Sequence, residues 1–460
     1  MVSRQKLYNP AQLFVLSFML LILAGCILLK MPFALQAELS WVDALFTSTS
    51  AVCVTGLAVV DTATYFTRMG QFIIMLLIQA GGIGILSFAG LFSYFLKGGS
   101  TYENQLAIGN FSNTDRMSEV FVLLRRTVYI TFSIELISGI FIFFSISDQD
   151  LHFADQLFIA IFHSVSAFCN AGFSILPSGA ATAGYVNNYT FQLLLAATYI
   201  LGGLGFPIVV NILKYLRHVA RRILGKLGKR EYFFQPWVIN INSKINLITT
   251  LLASVFATIF IYANEYRNVL SSHDGFGKWV IAFATATTPR TAGFNSVDFA
   301  ALEFSSIIFI IFLMWIGASP NSTGGGIKTS TLAVAVLNVF SLARGKDRTE
   351  VFRREISPVT IQRAFATMFL SLITIGVAII LISFFEPSKP LMDIAFECFS
   401  AYSTVGLSLN VTSSFTIGSK IILIITMFIG RVTMLSMLIA VIKKVKHLQY
   451  RYASEELTIY

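Results

Sequence analysis

Four short segments of this 460-residue chain place glycine third in a run of small or β-branched residues: Val54-Thr55-Gly56, Asn170-Ala171-Gly172, Thr291-Ala292-Gly293 and Thr404-Val405-Gly406. Each follows an apolar stretch rich in serine or threonine, and the glycines fall 116, 121 and 113 residues apart. Glycine has no Cβ, so it takes backbone angles closed to other residues and lets chains approach closely. Four such loops around one axis would offer rings of main-chain carbonyls, which replace the hydration shell of a cation without any side-chain charge. Helices ending at those loops would aim roughly half a negative charge each at the same space. The chemistry implied is passage of a dehydrated cation between four equivalent walls.

Four walls need four copies of one supporting unit. A repeat of more than a hundred residues is too long for a solenoid and suits a membrane hairpin. The composition, 55% hydrophobic and 12% charged with a mean hydropathy of +0.74, makes lipid the natural solvent. Apolar stretches of spanning length, about 20 residues, run over residues 11–31, 70–96, 127–146, 191–213, 245–262, 304–340, 364–385 and 421–442. Between the members of each pair lies a shorter apolar stretch, at 41–53, 153–169, 279–288 and 391–403. These read as re-entrant half-helices, because irregular backbone at membrane depth is tolerated only where it lines a wet cavity. The expected fold is an all-α membrane protein of four helix–pore-loop–helix repeats, with eight transmembrane helices around one central pore. Repeat 1 would cover 1–97 (pore loop 41–57) and repeat 2 98–213 (pore loop 153–173). Repeat 3 would cover 214–340 (pore loop 279–294, gating loop 317–326), and repeat 4 341–460 (pore loop 391–407) with a C-terminal tail.

Of 33 Lys and Arg, 24 fall in five stretches that this topology puts on one face: the N-terminal tail, 97–126, 214–244, 344–363 and 443–451. By the positive-inside rule that face is cytoplasmic, with both termini on it. The net charge of +10 is then a signal of topology rather than of nucleic-acid binding. The first apolar segment lacks a cleavage site and is expected to remain as a helix. Cys26, Cys53, Cys169 and Cys398 have neither zinc nor disulfide spacing and read as small buried fillers. The five histidines are equally scattered, so no cofactor or resident metal is expected, and a membrane enzyme is excluded.

The four glycine segments, Thr291-Ala292-Gly293-Phe294-Asn295, and the run Gly317-Ala318-Ser319-Pro320-Asn321-Ser322-Thr323-Gly324-Gly325-Gly326-Ile327-Lys328-Thr329 together resemble the Trk/Ktr/HKT superfamily of potassium transporters, most closely its bacterial KtrB-type membrane subunits. The resemblance covers nearly the whole chain. It implies K⁺ uptake across the bacterial cell membrane through a filter with Gly56, Gly172, Gly293 and Gly406 at its narrowest point. Relatives that carry sodium have serine in place of the first glycine, so Gly56 argues for potassium. The resemblance also implies a homodimer above a cytosolic ring of nucleotide-binding regulatory subunits (RCK-type, KtrA/KtrC-like). The chain has no nucleotide-binding glycine pattern of its own. Coupling to Na⁺ or H⁺, and a less selective K⁺/Na⁺ conduit, stay open as alternatives.

Around the filter, Asp61 and Asp298 stand five residues beyond their glycines, where they would concentrate cations at the outer mouth or serve as ordinary loop acids. Asp43, Asp155 and Asp393 begin the half-helices and read as caps. Arg290, three residues before Gly293, is expected behind the loop, bracing carbonyls or a carboxylate such as Glu397 or Glu135. Glu135 reads as a partnered structural acid. The glycines at 81, 82 and 84 and at 202, 203 and 205 read as close-packing positions. The run from Gly317 through Pro320 to Gly324, Gly325 and Gly326 cannot stay helical, and is expected to be a mobile gate beside Lys328 and Arg431. Finally, Leu216, Val219, Ile223 and Leu227 share one face of a basic helix suited to anionic lipid or, by the resemblance, to the regulatory ring.

Overall fold

The computed structural model of the chain describes residues 10–83, 120–149, 151–227 and 239–432, which are mostly helical. Helices α1 (Pro10–Leu29), α2 (Trp41–Val52), a short α3 (Thr62–Tyr65) and α4 (Arg68–Gly82) form the first quarter. The second holds α5 (Val120–Ser145), α6 (Phe153–Phe168), α7 (Tyr189–Leu204) and α8 (Phe206–Leu227). The third holds α9 (Ile241–Glu265), α10 (Phe276–Thr287), α11 (Phe304–Trp315) and α12 (Thr329–Ala343). The fourth holds α13 (Pro358–Phe385), α14 (Leu391–Ser403) and α15 (Ile417–Val432). Among the described residues the helical regularity is broken by one hairpin, β1 (Glu350–Val351) and β2 (Arg354–Glu355), whose turn residues Phe352 and Arg353 both have positive φ.

The short helices α2, α6, α10 and α14 have 12, 16, 12 and 13 residues, less than the roughly 20 needed to cross a bilayer. Each packs against the helix before it: α1 on α2, α5 on α6, α9 on α10, α13 on α14. The contacts also run between quarters, α4 on α6, α7 on α10, α11 on α14, and α15 back on α2. Buried residues such as Phe46, Phe162, Ile281 and Phe396 on the short helices are enclosed by these neighbours. The outer helices instead expose large apolar side chains, among them Phe144, Phe256, Phe369 and Phe384, as a lipid-facing surface does.

Charges sit at the ends of the short helices. Ser40 caps α2 by accepting from the Asp43 amide, and Asp43 pairs with Lys420 of α15 at 2.7 Å. Asp155 in the first turn of α6 pairs with Arg68 of α4. Glu386, after α13, accepts from the Thr416 amide at 2.6 Å and the Ser419 hydroxyl at 3.1 Å and so seats the start of α15. Burial alone would raise this carboxyl, but those bonds and Lys389 outweigh it and hold the group below its ordinary value.

Among the described residues three helices are long and apolar enough to span a bilayer, Arg125–Ser145, Ile241–Glu265 and Pro358–Phe385. A fourth arises if α7 and α8 count as one span, but they meet at 105°. That bend corrects the reading of 191–213 as one straight span. Gly205 takes φ 85°, its amide turns back to Gly202 O, and Pro207 follows it in the chain. The expected spans 70–96 and 421–442 run on into residues outside the described ones, as do most of the basic stretches at 97–126 and 443–451. The stretch 304–340 divides into α11 and α12 around the non-helical segment 316–328.

Candidate functional site

The four glycine segments follow α2, α6, α10 and α14 within a few residues, and they share one backbone signature. Their first residues are left-handed, Val54 at φ 56°, Asn170 at 58°, Thr291 at 69° and Thr404 at 50°. Their glycines are left-handed too, at 89°, 67°, 74° and 90°, while the middle residues are not. A left-handed β-branched residue is costly, on the order of 1–3 kcal/mol, and persists only where the surroundings fix it.

The preceding helix does the fixing. The amides of Thr55, Ala171 and Val405 donate to the carbonyls of Ser50, Ser166 and Ser400 at 2.8 to 2.9 Å. The Ser50 and Ser400 hydroxyls accept from the amides of Gly56 and Gly406, each at 3.1 Å, and the Ser166 hydroxyl donates to Phe173 O. The third segment differs because Pro289 and Arg290 stand between α10 and Thr291. There the Ala292 amide donates to Thr288 O at 2.9 Å, and the Thr288 hydroxyl donates to Phe294 O. Ten of the twelve segment amides are thus consumed locally, the exceptions being Gly172 and Thr291, whereas no described residue donates to a carbonyl of the twelve.

The segments touch one another in chain order. A side chain on Gly56 would collide with the Ala171 carbonyl, and its Cβ would lie 3.1 Å from Gly172 Cα. A Cβ on Gly172 would lie 2.9 Å from Gly293 Cα; one on Gly293 would collide with Val405 O. One on Gly406 would collide with Thr55 O and lie 2.8 Å from Gly56 Cα, which closes the circuit. On one side of this circuit opens a cavity of about 540 Å³ lined by all four glycines, Asp61, Asn295, Asp298 and Asn410. Both aspartates cap short helical turns there, through the amides of Ala63 and Ala300, and Asp298 also accepts from the Asn410 side-chain amide at 3.1 Å.

On the other side lies the segment 316–328. A Cβ on Gly324 would strike the Thr291 side chain, and one on Gly325 the Thr404 side chain, so these glycines sit directly against the first residues of two segments. The Ser319 amide donates to Gly203 O at 2.9 Å, the Phe206 amide to Asn321 O, and the Thr323 hydroxyl to Phe168 O. The bend at Gly205 therefore serves this loop: a Cβ there would lie 2.7 Å from Pro320 O. Lys328 Nζ donates to Gly324 O at 2.6 Å and reaches Gly325 O. Arg431, buried on α15, donates through one guanidinium nitrogen to Thr323 O and through the other to Gly81 O.

The third quarter is the exception among four. In the others a glycine of the second helix, Gly81, Gly202 or Gly430, lies against the last helical or next-to-last carbonyl of the short helix, Val52 O, Phe168 O or Tyr402 O. Gly317 instead faces the carbonyls of Gly325 and Ile327 in its own loop.

One expectation needs correction, the carboxylate partner offered for Arg290. Arg290 lies behind its segment but engages neither Glu397 nor Glu135; its guanidinium reaches Thr250 O, Thr250 Oγ1 and Ser254 Oγ on α9 at 3.3 to 3.5 Å. Glu397 accepts from the Ser408 and Thr412 hydroxyls and the Leu409 amide, tying down the chain just beyond Gly406. Glu135 accepts from Gln79 Nε2 at 2.9 Å, with Cys169 Sγ 3.7 Å away. The bolting role of Glu397 left no mark in the sequence beyond an acid in an apolar stretch. The Ser and Thr anchors did, as the polar enrichment before each glycine.

A helical membrane scaffold of this kind defines a class of integral-membrane transporters. Residues 9–450 match the TrkH cation transport protein family, and the chain belongs to it. It is 36% identical over 427 residues to the Ktr system potassium uptake protein B of Bacillus subtilis, covering 92% of this chain and 91% of that one. It is 33% identical over 464 residues to the potassium/sodium uptake protein NtpJ of Enterococcus hirae, covering 99% and 98%. The crystal structure of the potassium transporter TrkH from Vibrio parahaemolyticus superposes with a TM-score of 0.70 at 17% identity, over 95% of this chain and 86% of that one. Members of such a family move ions and are not enzymes.

Proposed function

We propose that this chain takes up potassium across the cell membrane through the circuit formed by Val54-Thr55-Gly56, Asn170-Ala171-Gly172, Thr291-Ala292-Gly293 and Thr404-Val405-Gly406. The observation that carries the reading is the contrast, across the four segments, between ten bonded amides out of twelve and carbonyls to which no described residue donates. Carbonyls without donors are costly when buried unless something else satisfies them, and a dehydrated monovalent cation does so. The names of the Ktr relatives point to the same cargo. The aspartates of the 540 Å³ cavity would draw cations toward its mouth.

In this reading each quarter is one of four repeats around a single pore, and the loop 317–326, with Gly317, Pro320, Gly324, Gly325 and Gly326, is the gate. It abuts Thr291 and Thr404 and is pinned by Lys328 and Arg431 onto its own carbonyls. Control by cytosolic nucleotide-binding subunits, assembly as a homodimer and cytoplasmic termini belong to the same proposal. A K⁺/Na⁺ conduit is the second reading, favoured by the potassium/sodium uptake protein among the relatives. The test is rescue of potassium-uptake-deficient cells at low external K⁺. Growth with the wild-type chain and none with Gly406→Ala supports the proposal; equal growth with both rejects it.

A further inference from the structure

We propose that the groove between the start of α5 and α8 holds one anionic phospholipid from the leaflet opposite the glycine-lined cavity. The groove has a volume of about 710 Å³ and is lined by Arg125, Arg126, Lys214 and Arg217 together with the apolar side chains of Ile130, Val210 and Leu213. Among the described residues no carboxylate lines it. Among the described residues, none of the four cations has an ion-pair partner.

The site is built by the 105° bend between α7 and α8. Just beyond the bend, Ile208 and Val209 of α8 share one apolar cluster with Ile130 and Ile134 of α5 and with Ile212. That packing leaves Lys214 and Arg217 facing Arg125 and Arg126 across the opening. Its depth follows from α5 itself. From Arg125 to Ser145 the helix has 21 residues, about 31 Å at 1.5 Å per residue, which matches the hydrocarbon thickness. The Ser145 end is tied through Asn188 to the side carrying Gly184 and the glycine-lined cavity, so the arginines stand at the opposite boundary. Tyr129, also at the groove, suits that boundary.

A phosphate diester between guanidinium groups satisfies these cations, since arginine forks match phosphate oxygens. An acyl chain covers the apolar lining, which neither a soluble acidic protein nor free phosphate would do. The charge on the lipid is required; a zwitterionic headgroup brings its own cation into a basic groove.

The test uses the full chain in detergent, titrated with phosphatidylglycerol or phosphatidylcholine and read by native mass spectrometry for bound lipid. Wild type should retain one phosphatidylglycerol per chain in preference to phosphatidylcholine. Arg125→Gln with Arg217→Gln should weaken it roughly twenty-five-fold, about fivefold per neutralised charge near a headgroup. Arg353→Gln with Arg354→Gln, on the exposed hairpin, should leave it unchanged. Leu213→Trp, which crowds the apolar lining and keeps every charge, should also expel the lipid, so the proposal does not depend on one variant folding. Full retention by both groove variants overturns the site. So does equal loss in the hairpin variant, which would mark a diffuse charge effect, or displacement by equimolar glycerol phosphate, which would mark a site for a free anion. Lipid-free protein that binds an acidic soluble partner through the same arginines also overturns it.

Discussion

The glycine segments and the loop 316–328 face each other across Thr291 and Thr404, yet they are held by opposite means. The segments rest on bonds from their own short helices, amide to carbonyl and amide to hydroxyl, with no charge involved. Each also lies hard against the next, with no room for a side chain. The loop is held by Lys328 and Arg431, and by single bonds to α6 and α7 and across the bend before α8. A charge-assisted bond to a carbonyl can be exchanged for water with modest net cost, whereas a steric ring has no second arrangement of similar energy. In the proposed reading the steric ring discriminates among ions and the charge-held loop opens and closes.

The contrast ranks the expected effects of substitution. Gly406→Ala drives a methyl into Thr55 O at φ 90°, and K⁺ uptake in deficient cells should fall at least a hundredfold. Gly56→Ser makes a similar intrusion at Ala171 O but brings a hydroxyl. It should lower the K⁺/Na⁺ flux ratio in liposomes about tenfold, equivalent to about 1.4 kcal/mol, and an unchanged ratio would count against the ring as the selective element. Arg431→Gln releases Thr323 O and Gly81 O; flux should rise several-fold with the selectivity ratio unchanged. A shift in selectivity there would erase the distinction between the two regions. Glu397→Ala strands the Ser408 and Thr412 hydroxyls and the Leu409 amide. It should cost about 1–3 kcal/mol of stability, read as a lower Tm of the purified protein with flux largely retained.

How far the sequence revealed these regions follows from what each rests on. Glycine at a fixed register is visible because no other residue accepts the backbone, and the serine or threonine that anchors each segment recurs with it. The short helices were readable from length alone. The break at 316–328 was readable from Pro320 and three successive glycines. Gly205 was not, since a single glycine inside an apolar run is as compatible with close packing as with a bend. Its turn depends on Pro320 O and Asn321 O, supplied by another quarter of the chain. The partners of Arg290 escaped for the same reason: Thr250 and Ser254 lie on a helix 40 and 36 residues away, and hydroxyls carry no charge to suggest a pairing.

Anomalous diffraction from crystals soaked in Rb⁺ or Tl⁺ would test the central claim most directly. The account predicts density on the axis enclosed by the carbonyls of residues 54–56, 170–172, 291–293 and 404–406, lost in Gly406→Ala crystals. Density confined to other places, with none inside that ring, would contradict it.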